Sequence, residues 1–132
     1  MASREKDWLR QAEEELLWAG DAIKTGRWAL VCLTSQQVAE LCLKAIAIHR
    51  GALQVKSHSI KEIAQLLGIN GEIEGMAKAL DLYYMSTRYP DAFSSGAPFE
   101  YFSEHQANEA FEYAKAFVKT ARSELDGRVD AP

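Results

Sequence analysis

Between Trp28 and Ile48 the chain is apolar at 15 of 21 positions, with neither proline nor glycine to interrupt the run. A helix that is apolar nearly all round has two uses, a membrane span or the centre of a bundle. Thr34, Ser35, Gln36, Gln37, Glu40 and Lys44 fall in the middle of the run and argue against a span. The pattern therefore predicts a central helix from Arg27 to about His49, contacted on several sides and ended by Arg50 and Gly51.

The rest of the chain reads as shorter helices arranged around that centre. From Arg4 to Lys24, Trp8, Ala12, Leu16, Ala19 and Ile23 recur every three or four residues, the period of an amphipathic helix. Gly26 closes that helix, because glycine enters the left-handed conformation without strain. Ser59 with Glu62 has the spacing of a capping box and opens a short helix to Leu67. Ile73, Met76, Ala77, Leu80, Tyr83 and Tyr84 mark a fourth helix, from Glu72 to about Thr87, limited by Pro90. Ser103 with Gln106 opens a last helix to about Leu125. Residues 88–102 have no period but hold two of the three prolines and five of the thirteen aromatics. A loop with that many rings is expected to pack on the bundle. The tail from Asp126 to Pro132 is expected to fray.

The expected architecture is all-α: an antiparallel up-and-down bundle of about five helices, two long N-terminal ones plus shorter ones. At 132 residues it forms a single domain with an ordered core over about 4–125. Cys32 and Cys42 lie ten residues apart on one helix, about 15 Å, which is beyond disulfide reach. Both are expected to be reduced core residues. Met1–Asp7 shows no signal-peptide core, so the expected location is the cytoplasm, with no membrane association. A net charge of −4 disfavours a broad nucleic-acid-binding face but leaves room for a local basic pocket.

Three polar clusters could carry chemistry. Gln36, Glu40 and Lys44 are spaced by four and share one stripe of the central helix, with Gln37 beside them. They form either a solvent-facing strip with an ordinary Glu40–Lys44 pair, or a polar groove offering Lys44 to an anion. His58, next to Lys56 and Ser57 at the start of the third helix, is either a cap or packed side chain, or the edge of an anion site. Arg88 and Asp91 flank the Pro90 turn after a tyrosine-rich helix end. They either pair across it or present Arg88 to a phosphate or carboxylate. No metal-ligand spacing, glycine-rich phosphate loop or nucleophile elbow is present. No metal or cofactor is expected.

The order of residues carries a resemblance over about residues 4–125. Trp8, Gly26-Arg27-Trp28, the run Ser35-Gln36-Gln37-Val38-Ala39-Glu40-Leu41-Cys42-Leu43-Lys44-Ala45, His58-Ser59-Ile60 and Arg88-Tyr89-Pro90-Asp91 precede an alanine-rich final helix. The chain resembles a HEPN domain (higher eukaryotes and prokaryotes nucleotide-binding) of the stand-alone prokaryotic type. The resemblance implies a helical bundle, homodimers and a minimal nucleotidyltransferase partner, often in toxin–antitoxin pairs where some members are metal-independent ribonucleases. Those ribonucleases follow their arginine with a histidine four to six residues on; after Arg88 this chain has no histidine until His105. A tyrosine two places beyond that histidine, the nucleotidylation site of partnered toxins, is missing with it.

The expected function is thus a non-catalytic helical module. It binds a nucleotide, a nucleotidyltransferase partner or both through Gln37, Glu40, Lys44, His58, Arg88 and Asp91. The apolar surface left by so small a bundle adds the expectation of a homodimer. The alternatives are an atypical metal-independent ribonuclease toxin, joining Arg88 to a non-standard histidine, and a purely structural interaction protein.

Overall fold

The computed structural model of the protein describes residues 4–127 and is helical among them, with no strand. The chain forms α1 (Glu5–Lys24), α2 (Trp28–His49), α3 (Ile60–Leu66), α4 (Glu72–Asp81), the single turn α5 (Tyr83–Ser86) and α6 (Glu104–Asp126). The fourth helix expected from the sequence is α4 and α5 together, divided at Leu82, which itself keeps helical backbone angles. Most of the expected fraying tail lies outside the described residues.

α2 packs against all five other helices. Its thirteen buried residues are more than any other element contributes, so the apolar run does become the centre of the bundle. By length and composition α2 could cross a membrane, yet 72% of its most apolar window is buried inside this fold. Short residues let α1 and α6 close on it: Ala12, Ala19 and Ala22 on one side, Ala107, Ala110, Ala114 and Ala121 on the other. Phe117, Leu43, Ile46, Ile60, Ile63 and Leu80 fill the space between.

Gly26, at φ +73°, turns α1 back into α2 as an antiparallel hairpin. His49 at the end of α2 accordingly reaches Glu5 at the start of α1, Nδ1 to Oε1 3.5 Å. The short helices then carry the chain back so that α6 runs beside α2 in the same direction and antiparallel to α1. Arg50 pairs with Glu124 at 2.8 Å and Arg122 with Glu13, fixing that register. The Ser103–Gln106 capping box forms in both directions, with the Ser103 N–H donating to Gln106 Oε1 at 2.9 Å and the Gln106 N–H to Ser103 Oγ at 3.2 Å.

Residues 88–102 are folded onto the bundle through two 3₁₀ turns, Pro90–Ala92 and Pro98–Tyr101. Phe93 stacks on Tyr101 with ring centres 4.0 Å apart, and the Tyr101 hydroxyl donates to the Ser95 carbonyl. Phe102 meets Tyr83 edge to face at 5.7 Å. The rings thus anchor the segment, which is why a stretch without helical period still holds one shape.

Candidate functional site

The four-residue spacing of Gln36, Glu40 and Lys44 makes one continuous bonded stripe along α2. Gln36 Nε2 donates to Glu40 Oε1 at 3.1 Å, and Lys44 Nζ donates to Glu40 Oε2 at 2.9 Å. The expected pair is real, but the solvent-facing strip is not. Gln36 is 0% exposed and Lys44 7%, because α1, α5 and the segment before α3 cover this side of α2. Burial alone would raise the Glu40 carboxyl. The hydrogen bonds from Lys44 and His58 outweigh it, and the net position is below the ordinary carboxyl value.

Arg88 enters from the other end. It follows α5, and Tyr89 after it is extended, as a residue before proline must be. Its guanidinium turns inward, not across the turn: Nη2 donates to Gln36 Oε1 at 2.9 Å and to Gln37 Oε1 at 3.2 Å, and Nη1 donates to the Tyr84 carbonyl at 2.8 Å. It also lies over the Tyr84 ring, 4.3 Å from the ring centre. Asp91 stays exposed on the 3₁₀ turn, so of the two alternatives for Arg88 the pairing with Asp91 does not form, and Asp91 stands apart from the cluster.

His58 comes to the same place. Its Nδ1 is 2.9 Å from Glu40 Oε2, and its ring stacks on Tyr84 with centres 5.4 Å apart. It is no cap, for Ser59 holds that position and accepts the Glu62 N–H at 3.1 Å. Nor does the start of α3 await an external anion. The Asp81 carboxylate already accepts the Ile60 N–H at 2.6 Å and the Lys61 N–H at 2.9 Å.

Both glutamines bridge the guanidinium to a carboxylate. Gln36 accepts from Arg88 and donates to Glu40; Gln37 accepts from Arg88 and donates to Glu15 at 2.9 Å. Each amide turns its oxygen to the cation and its nitrogen to the anion, the orientation electrostatics demands. Every hydrogen bond of Arg88 consequently ends on a neutral oxygen. Lys44 differs, being buried directly against Glu40.

Gln36, Gln37, Glu40, Lys44, His58 and Arg88 therefore form one network, which Tyr84, Glu15 and Gln11 extend. Gln11 donates to Glu15 at 3.0 Å. Glu15 is the residue a sequence reading passes over, though a signal exists. It falls at the helical spacing of Ala12, Ala19 and Ala22, a lone carboxylate on an apolar stripe that needs an internal partner.

Other groups with chemical potential are inert. Cys32 and Cys42 are buried and unbridged; burial pushes the Cys32 thiol up to about 12 and raises Cys42 as well. Neither can serve as a thiolate at neutral pH. Among the described residues no group of three histidines, cysteines or carboxylates is placed to hold a metal ion. An open cleft of about 550 Å³ lies between α4 and α6, and one of about 470 Å³ beside the α1–α2 turn and Phe99; the polar network lines neither.

Comparison with known proteins fits this architecture. A HEPN domain model matches residues 5–124. The crystal structure of a Thermus thermophilus protein is similar at a TM-score of 0.84 and 32% identity, covering 94% of this chain and 100% of its own. An archaeal HEPN homologue is similar at 0.77 and 31%, covering 94% of this chain and 99% of its own. A HEPN domain protein from Thermotoga maritima is similar at 0.70 and 25%, covering 93% and 99%. No curated protein is significantly similar to the chain.

Proposed function

The chain belongs to the HEPN domain family, and on that premise we propose that it is a non-catalytic binding module whose Arg88 holds the phosphate of a nucleotide. The nucleotide is taken up free or presented by a minimal nucleotidyltransferase partner, in a pair of the toxin–antitoxin type. The observation that carries this reading is the bonding of Arg88. A half-buried guanidinium fixed by Gln36, Gln37 and the Tyr84 carbonyl keeps its shape and its full charge, because no carboxylate touches it. Preorganised and unneutralised, it suits a phosphate oxygen, which a guanidinium binds more strongly than a neutral acceptor.

Within this reading the roles divide. Gln36 and Gln37 orient Arg88, and Lys44 is the internal counter-ion that keeps Glu40 ionised beneath His58. His58 borders the site, and Asp91 lies outside it. The test is calorimetric titration of adenosine monophosphate, and of a co-expressed nucleotidyltransferase where one is encoded alongside, into wild type and Arg88→Lys. Lysine keeps the charge but cannot reproduce the three-way fork, so binding should drop at least tenfold. Equal binding by both would sink the assignment to Arg88.

A second reading has one observation in its favour. Arg88 and His58 both contact the Tyr84 ring, and His58 is oriented by a carboxylate as a general base would be. Metal-independent RNA cleavage by that pair is the rival.

The module is further proposed to act as a homodimer. Leu82 between α4 and α5, Met85 on α5 and Tyr89 just beyond it are 75%, 57% and 46% exposed. An apolar stripe of that kind beside the site suits a second protein surface.

A further inference from the structure

The α3 start is a part of the molecule that the binding reading does not use. Ser59 Oγ donates to Asp81 Oδ2 at 2.9 Å, the Ile60 N–H donates to Oδ1 at 2.6 Å, and the Lys61 N–H donates to Oδ2 at 2.9 Å. One carboxylate, 21 residues away in the chain from Ile60, thus collects three donors from three consecutive residues. A second bond stiffens the approach to them: the Ser59 N–H donates to Ser57 Oγ at 3.1 Å. In a reciprocal capping box Glu62 would reach back to that amide; here Ser57 takes it and Asp81 takes the rest.

Asp81 is the last residue of α4, and Tyr84 stands three residues further on, across a Leu82 that keeps helical angles. The carboxylate that grips residues 59–61 and the ring that receives His58 therefore belong to one rigid piece. His58 is the residue immediately before those gripped donors. Its side chain is 58% exposed, yet it is held on two sides, by Glu40 at Nδ1 and by the Tyr84 ring. An exposed imidazole on a non-helical segment keeps such a pose only when its backbone is fixed relative to both partners. Glu40 and Tyr84 sit on different helices, α2 and α5, and the Asp81 clip is what registers the segment between them.

We propose that Asp81 is a positioning residue: by clamping the α3 start to the α4–α5 junction it holds His58 with Nδ1 on Glu40 and its ring on Tyr84, the ring that Arg88 also overlies. The inference rests on the reading of the Arg88 cluster as a phosphate site, but its first readout does not. With the clamp in place, Nδ1 stays on Glu40 and the ring stays on Tyr84, so a bound phosphate meets an imidazole of fixed orientation. His58 touches Glu40, whose carboxylate also holds Lys44, and the Tyr84 ring.

The experiment is nitrogen-detected NMR of the histidine rings in wild type, Asp81→Asn and Ser59→Ala, each checked for helicity by circular dichroism. Wild type should show His58 with a distinct Nδ1 resonance, carried by its bond to the Glu40 carboxylate. Asp81→Asn should lose it and move His58 toward the values of an unrestrained imidazole, while the spectrum of the α2 core stays put. Ser59→Ala removes the cap hydroxyl but leaves the Ile60 and Lys61 bonds to Asp81, so it should keep the His58 signature. An unchanged His58 in Asp81→Asn overturns the inference. So does an equal change in both variants, since fraying of α3 would then be the cause. Adenosine monophosphate affinity in Asp81→Asn should fall to that of His58→Ala; a wild type that fails to bind it at all would refute the phosphate reading and leave the positioning result standing.

Discussion

Gln36 and Arg88, 52 residues apart in the chain, meet in a 2.9 Å hydrogen bond at a point where Gln36 is completely buried. The same amide donates to Glu40, so it stands between a cation and an anion and touches both. That placement anchors the guanidinium while leaving its charge uncancelled, the condition a phosphate site needs.

Replacing Gln36 by leucine should therefore cost stability as well as binding. Arg88 and Glu40 would each lose a partner in a site with little water, a loss of about 1–3 kcal/mol for a buried polar group left unpaired. A thermal melt should show Tm several degrees lower for Gln36→Leu. An unchanged Tm would mean that the amide does not hold the two charges.

Acid should weaken the fold through Glu40 and Glu124. Burial raises Glu40, but its bonds from Lys44 and His58 leave it below the usual carboxyl value; Arg50 lowers Glu124 in the same direction. A carboxyl lowered in the folded state stabilises it at every pH above its unfolded value, about 4.3 for glutamate. That contribution disappears as pH falls through the folded value. Denaturant unfolding followed from pH 7 downward should show stability decreasing below about pH 5. Glu40→Gln should be less stable than wild type at pH 7, with Lys44 left buried and uncompensated, and its acid slope should be shallower. Parallel curves for the two proteins would show that Glu40 is not part of the acid response.

Purified protein should not cleave RNA at a rate tied to Arg88. An arginine stabilises phosphate charge but stays protonated near neutral pH, so it cannot shuttle protons. A base or acid is still required, and the interval after Arg88 holds no histidine until His105. The assay is an RNA digest in chelating buffer with wild type, Arg88→Ala and His58→Ala. Cleavage by wild type that vanishes in both variants would promote the ribonuclease reading over the binding one.

Light scattering should give twice the 14.7 kDa chain mass at micromolar concentration. Met85→Lys, placed in the exposed stripe, should shift the protein toward monomer without lowering helicity. A monomer mass for wild type across the concentration range would remove the dimer from the account.

The sequence carries the fold more openly than the site. An apolar run with polar residues at its middle points to the centre of a bundle, Gly26 marks a turn, and the Ser103–Gln106 spacing needs nothing outside its own helix. These are local signals, and each element formed where its signal lies. The site is assembled from long-range pairings, which spacing does not encode. Gln36, Glu40 and Lys44 are visibly one stripe, but only α1 and α5 closing over them make it buried. Arg88 has Asp91 three residues away in the chain and ignores it for two amides on α2. Asp81 reads as an ordinary surface acid until the fold places the start of α3 beside it, and the position of Glu15 on an apolar stripe signals a partner without naming Gln37.

Contact between Arg88 and phosphate is the central claim, and the side-chain Nε–H resonance of Arg88 reports it directly. The measurement is a titration of adenosine monophosphate into nitrogen-labelled wild type, with Arg88→Ala identifying the resonance and inorganic phosphate as the comparison ligand. The predicted result is a saturable shift of the Arg88 Nε–H, accompanied by His58, with the nucleotide binding more tightly than phosphate alone. A resonance that stays in place through the titration, while the protein remains folded, would contradict the assignment of this cluster as a nucleotide phosphate site.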